Sequence, residues 1–264
     1  MKLSDGQQIP IKTRAEVSRM REAGRHVGEI LLELRERVRP GVSTEELDRH
    51  ARKRIQEREV TSSFLGYGPH GLPAYPAVLC VSVNEEIVHG IPGGRIVREG
   101  DIVSLDFGVS VEGWHGDSAV TVCVGEVSED RKRLVETTHQ SLDRAIEMLR
   151  EGHRLSDIGH AVQEHVEPAG YSVVRDFAGH GIGSAMHEPP WIPNYGTRGR
   201  GPRLKPGMVF AIEPMVNAGT PDVEILDDEW TAVTADGAVS AHFEHTILVT
   251  EDAPEVLTRV AGSH

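Results

Sequence analysis

The octapeptide EGDIVSLD (Glu99 to Asp106) aligns without a gap on PGMVFAIE (Pro206 to Glu213), an apolar strand-like run that each time closes on a carboxylate. Three further pairs keep the same order. GVSTEELDRHARKRI from Gly41 is answered by RLSDIGHAVQEHV from Arg154, VHGIP around His89 by GHGIG around His180, and DSAVTVCV from Asp117 by EHTILVT from Glu244. Four ordered matches point to an internal duplication of helix, helix and antiparallel strands. The expected fold is therefore α+β: one domain over residues 1–264, a short N-terminal segment 1–12, then halves of about 13–127 and 128–258 related by a pseudo-twofold axis and meeting at a shared centre.

Local signals support the helices. Thr13 and Glu16 read as a capping box, and Val17, Met20, Gly24, Val27, Leu31, Leu34 and Val38 follow at spacings of three and four, until Pro40 and Gly41 end the run. Ser43 with Glu46 opens a shorter helix carrying Leu47, Ala51 and Ile55 on one side. A second long helical stretch runs from about Ser128 to Leu149 and ends near Gly152, while AVLCVSV and DIVSLDFGVS read as strands.

With 264 residues, 38% of them hydrophobic, the chain can bury a substantial core. A formal charge of -13 with no basic tract argues against nucleic acid or a membrane surface as partner. The Arg-Gly pairs at Arg198 to Gly201 read as a surface loop. The opening MKLSDGQQIPIKTRAE has neither an apolar signal core nor an Arg-rich transit pattern, and no run reaches the ~18 apolar residues of a spanning helix. A cytoplasmic protein is expected. The only cysteines, Cys80 and Cys123, fall in β-like runs, so free thiols are expected and neither a disulfide framework nor a thiolate zinc site.

Each half contributes one imidazole and two carboxylates: His89, Asp106 and Asp117 from the first, His180, Glu213 and Glu244 from the second. Carboxylates flanked by Val, Ile, Leu and Phe are costly to bury unless positive charge neutralises them. The segments Asp101 to Ser110 and Val209 to Asn217 contain no Arg or Lys, so the cations must come from elsewhere. Four carboxylates with one or two imidazoles suit divalent manganese, iron(II) or cobalt better than a structural zinc site. That much negative charge calls for two ions bridged by shared carboxylates, a centre for metal-assisted hydrolysis.

At these positions the chain resembles a known family. VNEEIVHGIP, SLDFG, WHGDSAVT, GHGIGSAMHEPP, AIEPM and FEHTI are similar to the motifs of type I methionine aminopeptidases, which have the duplicated pita-bread fold, and the resemblance runs from about Ile11 to Thr258. It implies metal ligands at Asp106, Asp117, His180, Glu213 and Glu244, holding two divalent ions (cobalt, manganese, iron(II) or zinc) with Asp117 and Glu244 bridging. A hydroxide between the ions would attack the scissile carbonyl, with Glu213 also serving as base. His187 resembles the histidine that hydrogen-bonds the scissile amide, and His89 the one facing the amide nitrogen. The glycines beside His180 are expected to let the backbone pass close to the metals. His115, His242 and His245 are expected to be residues behind the ligands or on the surface.

The implied substrate is the N-terminus of a nascent polypeptide, met near the ribosome by a monomeric enzyme that removes the initiator methionine when the second residue is small. Tyr67, Tyr75, Cys80, Met186 and Trp230 resemble the lining of the methionine pocket, apolar and soft enough for a thioether. Asn84, Glu86 and Ser240 resemble backbone positions that hold one sodium or potassium ion. The chain departs from the family in GPHGLPA, a longer connection between Tyr67 and Tyr75, and in Met186, where many relatives carry an aromatic residue. Two other readings share the fold. Xaa-Pro aminopeptidases and creatinases generally carry an added N-terminal domain, for which 264 residues leave no room, and the binding proteins of this fold have lost ligands that are intact here.

Overall fold

A computed structural model describes residues 8–260; residues 1–7, whose reading as free of a signal or transit pattern falls on this stretch, lie outside the described residues. Among the described residues, four α-helices are α1 (Arg14–Arg35), α2 (Thr44–Glu57), α3 (Glu129–Glu147) and α4 (Leu155–Val166). The strands are β1 (Thr61–Ser62), β2 (Cys80–Val83), β3 (Glu86–Val88), β4 (Ile102–Val111), β5 (Trp114–Cys123), β6 (Ser172–Val173), β7 (Gly179–Gly181) and β8 (Glu188–Ile192). They continue with β9 (Val209–Ile212), β10 (Met215–Asn217), β11 (Val223–Ile225), β12 (Ala232–Thr234), β13 (Ser240–His242), β14 (Glu244–Leu248) and β15 (Glu255–Val256).

Both expected capping boxes form: the Thr13 and Ser43 hydroxyls accept from the amides of Glu16 and Glu46, whose carboxylates accept from the cap amides in return. The periodic run before Pro40 breaks earlier than its last apolar residue. Arg35 is the last regular residue of α1, and the Arg37 and Val38 amides both close on the Leu34 carbonyl, tightening the final turn. Around Arg198 to Gly201, the Gly199 amide donates to Asp157 and the Arg200 amide to Ser156, so this loop closes the first turn of α4.

A nine-stranded sheet of order β1-β4-β5-β14-β9-β7-β8, with β2 on β4 and β15 on β14, joins the two copies. The antiparallel pairs β4–β5 and β9–β14 are the matched units, and β5 meets β14 at the seam. Hydroxyls lock that seam. Thr246 Oγ1 accepts from the Asp117 amide at 2.9 Å and donates to the Asp117 carbonyl at 2.8 Å, and Ser118 Oγ donates to the Glu244 carbonyl at 2.6 Å. The matched strands differ in one respect from the sequence pattern: β9 stops just before Glu213, but β4 runs on through Asp106 to Val111, because β5 stays paired with it all the way to the turn at Trp114.

The helices cover one face. Val103, Leu105, Phe107 and Val109 of β4 pack with Leu31 and Leu34 of α1 and Leu47 of α2, while Phe210, Ile212 and Ile247 pack with Leu142 of α3 and Ile158 of α4. Successive strand residues alternate faces, so Asp106, between Leu105 and Phe107, points away from the helices. Two three-stranded sheets, β13-β10-β6 and β11-β12-β3, complete the fold.

Candidate active site

Strand register alone gathers the acids. Ala119 on β5 pairs with Asp106 on one side and Glu244 on the other, so these two carboxylates lie in one row on one face, and Asp117 is two residues from Ala119 on that same face. Ala211 on β9 pairs with both His180 and Thr246, and Thr246 is two residues from Glu244, which brings His180 to the same face. Glu213, two residues past Ala211, follows.

Asp117, His180 and Glu244 are 3%, 2% and 2% exposed, and each offers a ligand atom within 4.8 Å of the others. Glu213 joins them with Oε1 3.5 Å from His180 Nε2, and Asp106 lies close enough to Asp117 for their charges to repel. The glycines flanking His180 lie hard against neighbouring backbone: a Cβ on Gly179 would fall 2.6 Å from the Ala211 carbonyl oxygen, and one on Gly181 2.3 Å from that of Pro189. Close strand packing is what requires them.

His180 Nδ1 lies 2.8 Å from the Gly181 carbonyl, which can only accept, so the ring proton sits on Nδ1 and the Nε2 lone pair faces the carboxylates. Buried oxygens of Asp106 (Oδ1), Asp117 (Oδ1) and Glu244 (Oε1) have no hydrogen-bond partner. Among the described residues no Arg or Lys pairs with any of these acids. Orphaned oxygens and an inward lone pair fit a divalent cation, and no cationic side chain among the described residues neutralises them.

Burial raises the pKa of Asp106, Glu213 and Glu244 well above the ordinary range, with mutual repulsion adding to it, and raises Asp117 to about 7. Burial has the opposite effect on imidazoles, drawing His180, His242 and His245 down to about 3 and His89 to about 4. For metal-free protein the two sets oppose each other below pH ~6.5, where unfolded histidines still bind protons. Above that only the carboxylates matter: the folded state keeps protons the unfolded chain has released, so stability is lost as pH rises through their folded values. Exhaustively chelated protein is therefore expected to melt at progressively lower temperature from pH 6.5 to about 8.5, and added divalent ion should remove that slope. A flat calorimetric profile for the chelated protein would contradict this placement of the charges.

His187 is exposed, its Nδ1 2.5 Å from the Tyr67 hydroxyl and its ring centroid 4.1 Å from that of His180. His89 holds a left-handed backbone (φ 62°), rare for a residue with a Cβ, and its ring meets Phe177 and Trp230 edge-on at 5.4 and 5.9 Å. Tyr67, Tyr75, Cys80, Met186 and Trp230 all belong to one apolar cluster, with Tyr75 edge-on to Trp230 at 5.2 Å. The longer connection does not displace Tyr75. Its ends are pinned by Gly66 N–H to Tyr75 O and Tyr75 N–H to Tyr67 O, and Pro73 O accepts from the Trp230 indole at 3.1 Å, so the added residues brace this cluster.

Asn84 (φ 57°) and Ser240 are adjacent, the Ser240 amide donating to the Asn84 carbonyl, while the Glu86 side chain takes up the Val83 amide and Arg95. Cys80 is buried and Cys123 half-buried, both as free thiols. A surface reading fails for His115, His242 and His245. His242 is 1% exposed with Nε2 3.7 Å from Glu213, His245 bonds Thr258 at 2.8 Å, and His115 bonds Ser63 at 2.8 Å. Sequence reasoning also missed the buried ion pair of Lys12 with Glu188, which ties the segment before α1 to the turn carrying Met186 and His187. Nothing local marks either partner, since they are 176 residues apart.

The profile of Metallopeptidase family M24 matches residues 18–251. Methionine aminopeptidase 1 of Bacillus subtilis is 51% identical over 252 residues, 96% of this chain and 100% of that protein. A methionine aminopeptidase structure from Thermotoga maritima superposes with a TM-score of 0.93 at 46% identity, covering 96% of this chain and all of that one. An Xaa-Pro dipeptidase from Bacillus anthracis, at 23% identity and a TM-score of 0.74, shares the fold, and the match spans 63% of it. A whole-length match at this identity, on a fold whose register assembles the buried acids and His180, means that the chain belongs to the M24 metallopeptidases and, within them, to the methionine aminopeptidases.

Proposed function

We propose that the enzyme removes the initiator methionine from new polypeptides whose second residue is small, using two divalent ions held by Asp106, Asp117, His180, Glu213 and Glu244. Asp117 and Glu244, the central carboxylates, would help to hold both ions, and manganese, iron(II), cobalt and zinc are the candidates for this oxygen-rich set. The observation that carries the reading is the meeting, on one sheet face, of orphaned carboxylate oxygens with an apolar cluster whose Cys80 pairs directly with Asp106. Lewis acidity, to polarise a carbonyl and lower the pKa of a water, is the chemistry the bound ions supply.

The chain's own groups do the rest. Tyr67, Tyr75, Cys80, Met186 and Trp230 enclose the methionine side chain, which places the free amine beside Asp106. With the His187 ring proton on Nε2, Nδ1 accepts a hydrogen bond from the Tyr67 hydroxyl 2.5 Å away, and Nε2 donates to the oxygen of the scissile amide as negative charge develops there. His89 faces the amide nitrogen from the opposite wall, beside Trp230. Glu213 takes a proton from the attacking water and passes it to the leaving amine.

In this reading residues 13–127 and 128–258 are the repeats of one catalytic domain, active as a monomer near the ribosome in the cytoplasm. No helix among the described residues is long and apolar enough to cross a membrane. A sodium or potassium ion would be held at the backbone of Asn84, Glu86 and Ser240.

A peptide panel tests the reading. Met-Gly, Met-Ala and Met-Ser peptides should be good substrates and Met-Phe or Met-Lys about a hundredfold poorer, because a bulky second residue moves the carbonyl from its attack position. Formyl-Met-Ala peptides should resist, having no free amine, while leucine in place of methionine should cost only ~1–3 kcal/mol in one apolar pocket. Equal cleavage of Met-Phe and Met-Ala, or a preference for proline second, would refute it.

A further inference from the structure

Strand β8 is the last in the path of the large sheet, and its Trp191 pairs directly with His180 on β7. Paired residues project to the same face. Trp191 therefore rises from the face that carries the carboxylates, at the open end of the sheet. Its ring lies 6.1 Å from that of His187, inclined by 35°, yet the residue is 45% exposed. Trp230, by contrast, is 8% exposed and belongs to the apolar cluster around the methionine pocket, a cluster to which Trp191 does not belong. An indole so large is costly to leave in water, and this one is rigidly presented: Pro189 and Pro190 precede it and Ile192, 1% exposed, anchors the strand behind it.

We propose that Trp191 is the floor of a subsite for the side chain of the substrate's third residue, favouring aromatic and large aliphatic side chains over glycine. The inference rests on the methionine aminopeptidase reading, with His187 against the scissile amide. Residues one and three of an extended peptide point to the same side about 6.6 Å apart. With methionine in the pocket that Tyr67 closes, 5.2 Å from His187, the third side chain reaches the neighbouring ring of Trp191, 6.1 Å from the same histidine. The second side chain points the other way.

The test is the ratio of kcat/KM for Met-Ala-Trp-Gly over Met-Ala-Gly-Gly, measured on wild type, Trp191→Ala and Trp191→Phe. A ratio of about ten is expected for wild type, carried by KM, with most of it kept in Trp191→Phe and a fall to about two in Trp191→Ala. A variant that only loosened the fold would slow both peptides and leave the ratio unchanged. A wild-type ratio near one, or a ratio that survives in Trp191→Ala, overturns the subsite. If neither peptide is cleaved, the reaction reading fails instead, and calorimetric titration of the same two peptides decides the subsite: equal affinities on wild type and Trp191→Ala overturn it.

Discussion

Glu244→Gln is expected to lose most bound metal and to lower turnover by well over a hundredfold, with Asp117→Asn behaving alike. Removing groups that merely orient a ligand already costs about 10–100-fold in metal affinity or activity. Glu244 and Asp117 lie deeper in the arrangement than that: both are almost wholly buried, and each carries an oxygen without a hydrogen-bond partner. The amide of Gln cannot supply the anionic donor that Glu244 offers, although it fills the same volume. The same substitution carries a second, opposite signature. Glu244 repels Asp106, Asp117 and Glu213 in the absence of ions, so chelated Glu244→Gln should melt above chelated wild type at pH 8. Metal analysis, initial rates and calorimetry read all three effects. Full activity in exhaustively chelated wild type would end the metallohydrolase assignment.

His187→Ala is expected to lower turnover by about a hundredfold while metal content stays near wild type. The side chain is exposed at the rim of the site, and its Nδ1 is engaged by Tyr67. A donor that acts on the developing oxyanion contributes to kcat more than to KM, since the ground-state carbonyl needs it less. Retained turnover, or loss of metal in the variant, would show that His187 does something else.

Much of this protein was legible in its residues because the relevant signals are local. The capping boxes at Thr13 and Ser43 depend on side chains three residues apart, and both form as read. The period of two put Asp106 among Val, Leu and Phe, and the absence of nearby Arg or Lys made a cation necessary before any strand was placed. The duplication was visible because both copies need the same alternation of apolar core and inward acid. What the sequence could not contain is register across strands distant in the chain. Ala119 is flanked by Asp106 and Glu244 only because β5 and β14 meet in one alignment, held by Ser118 and Thr246 hydroxyls reaching across 126 and 129 residues. The side His180 turns to the acids depends on one carbonyl, that of Gly181, and the glycines beside it on the backbones of Ala211 and Pro189. Burial of His242 against Glu213, the Lys12–Glu188 pair and the position of Trp191 opposite His180 are likewise decided by packing between remote segments, where pairing energies depend on distance in space and leave no periodicity along the chain.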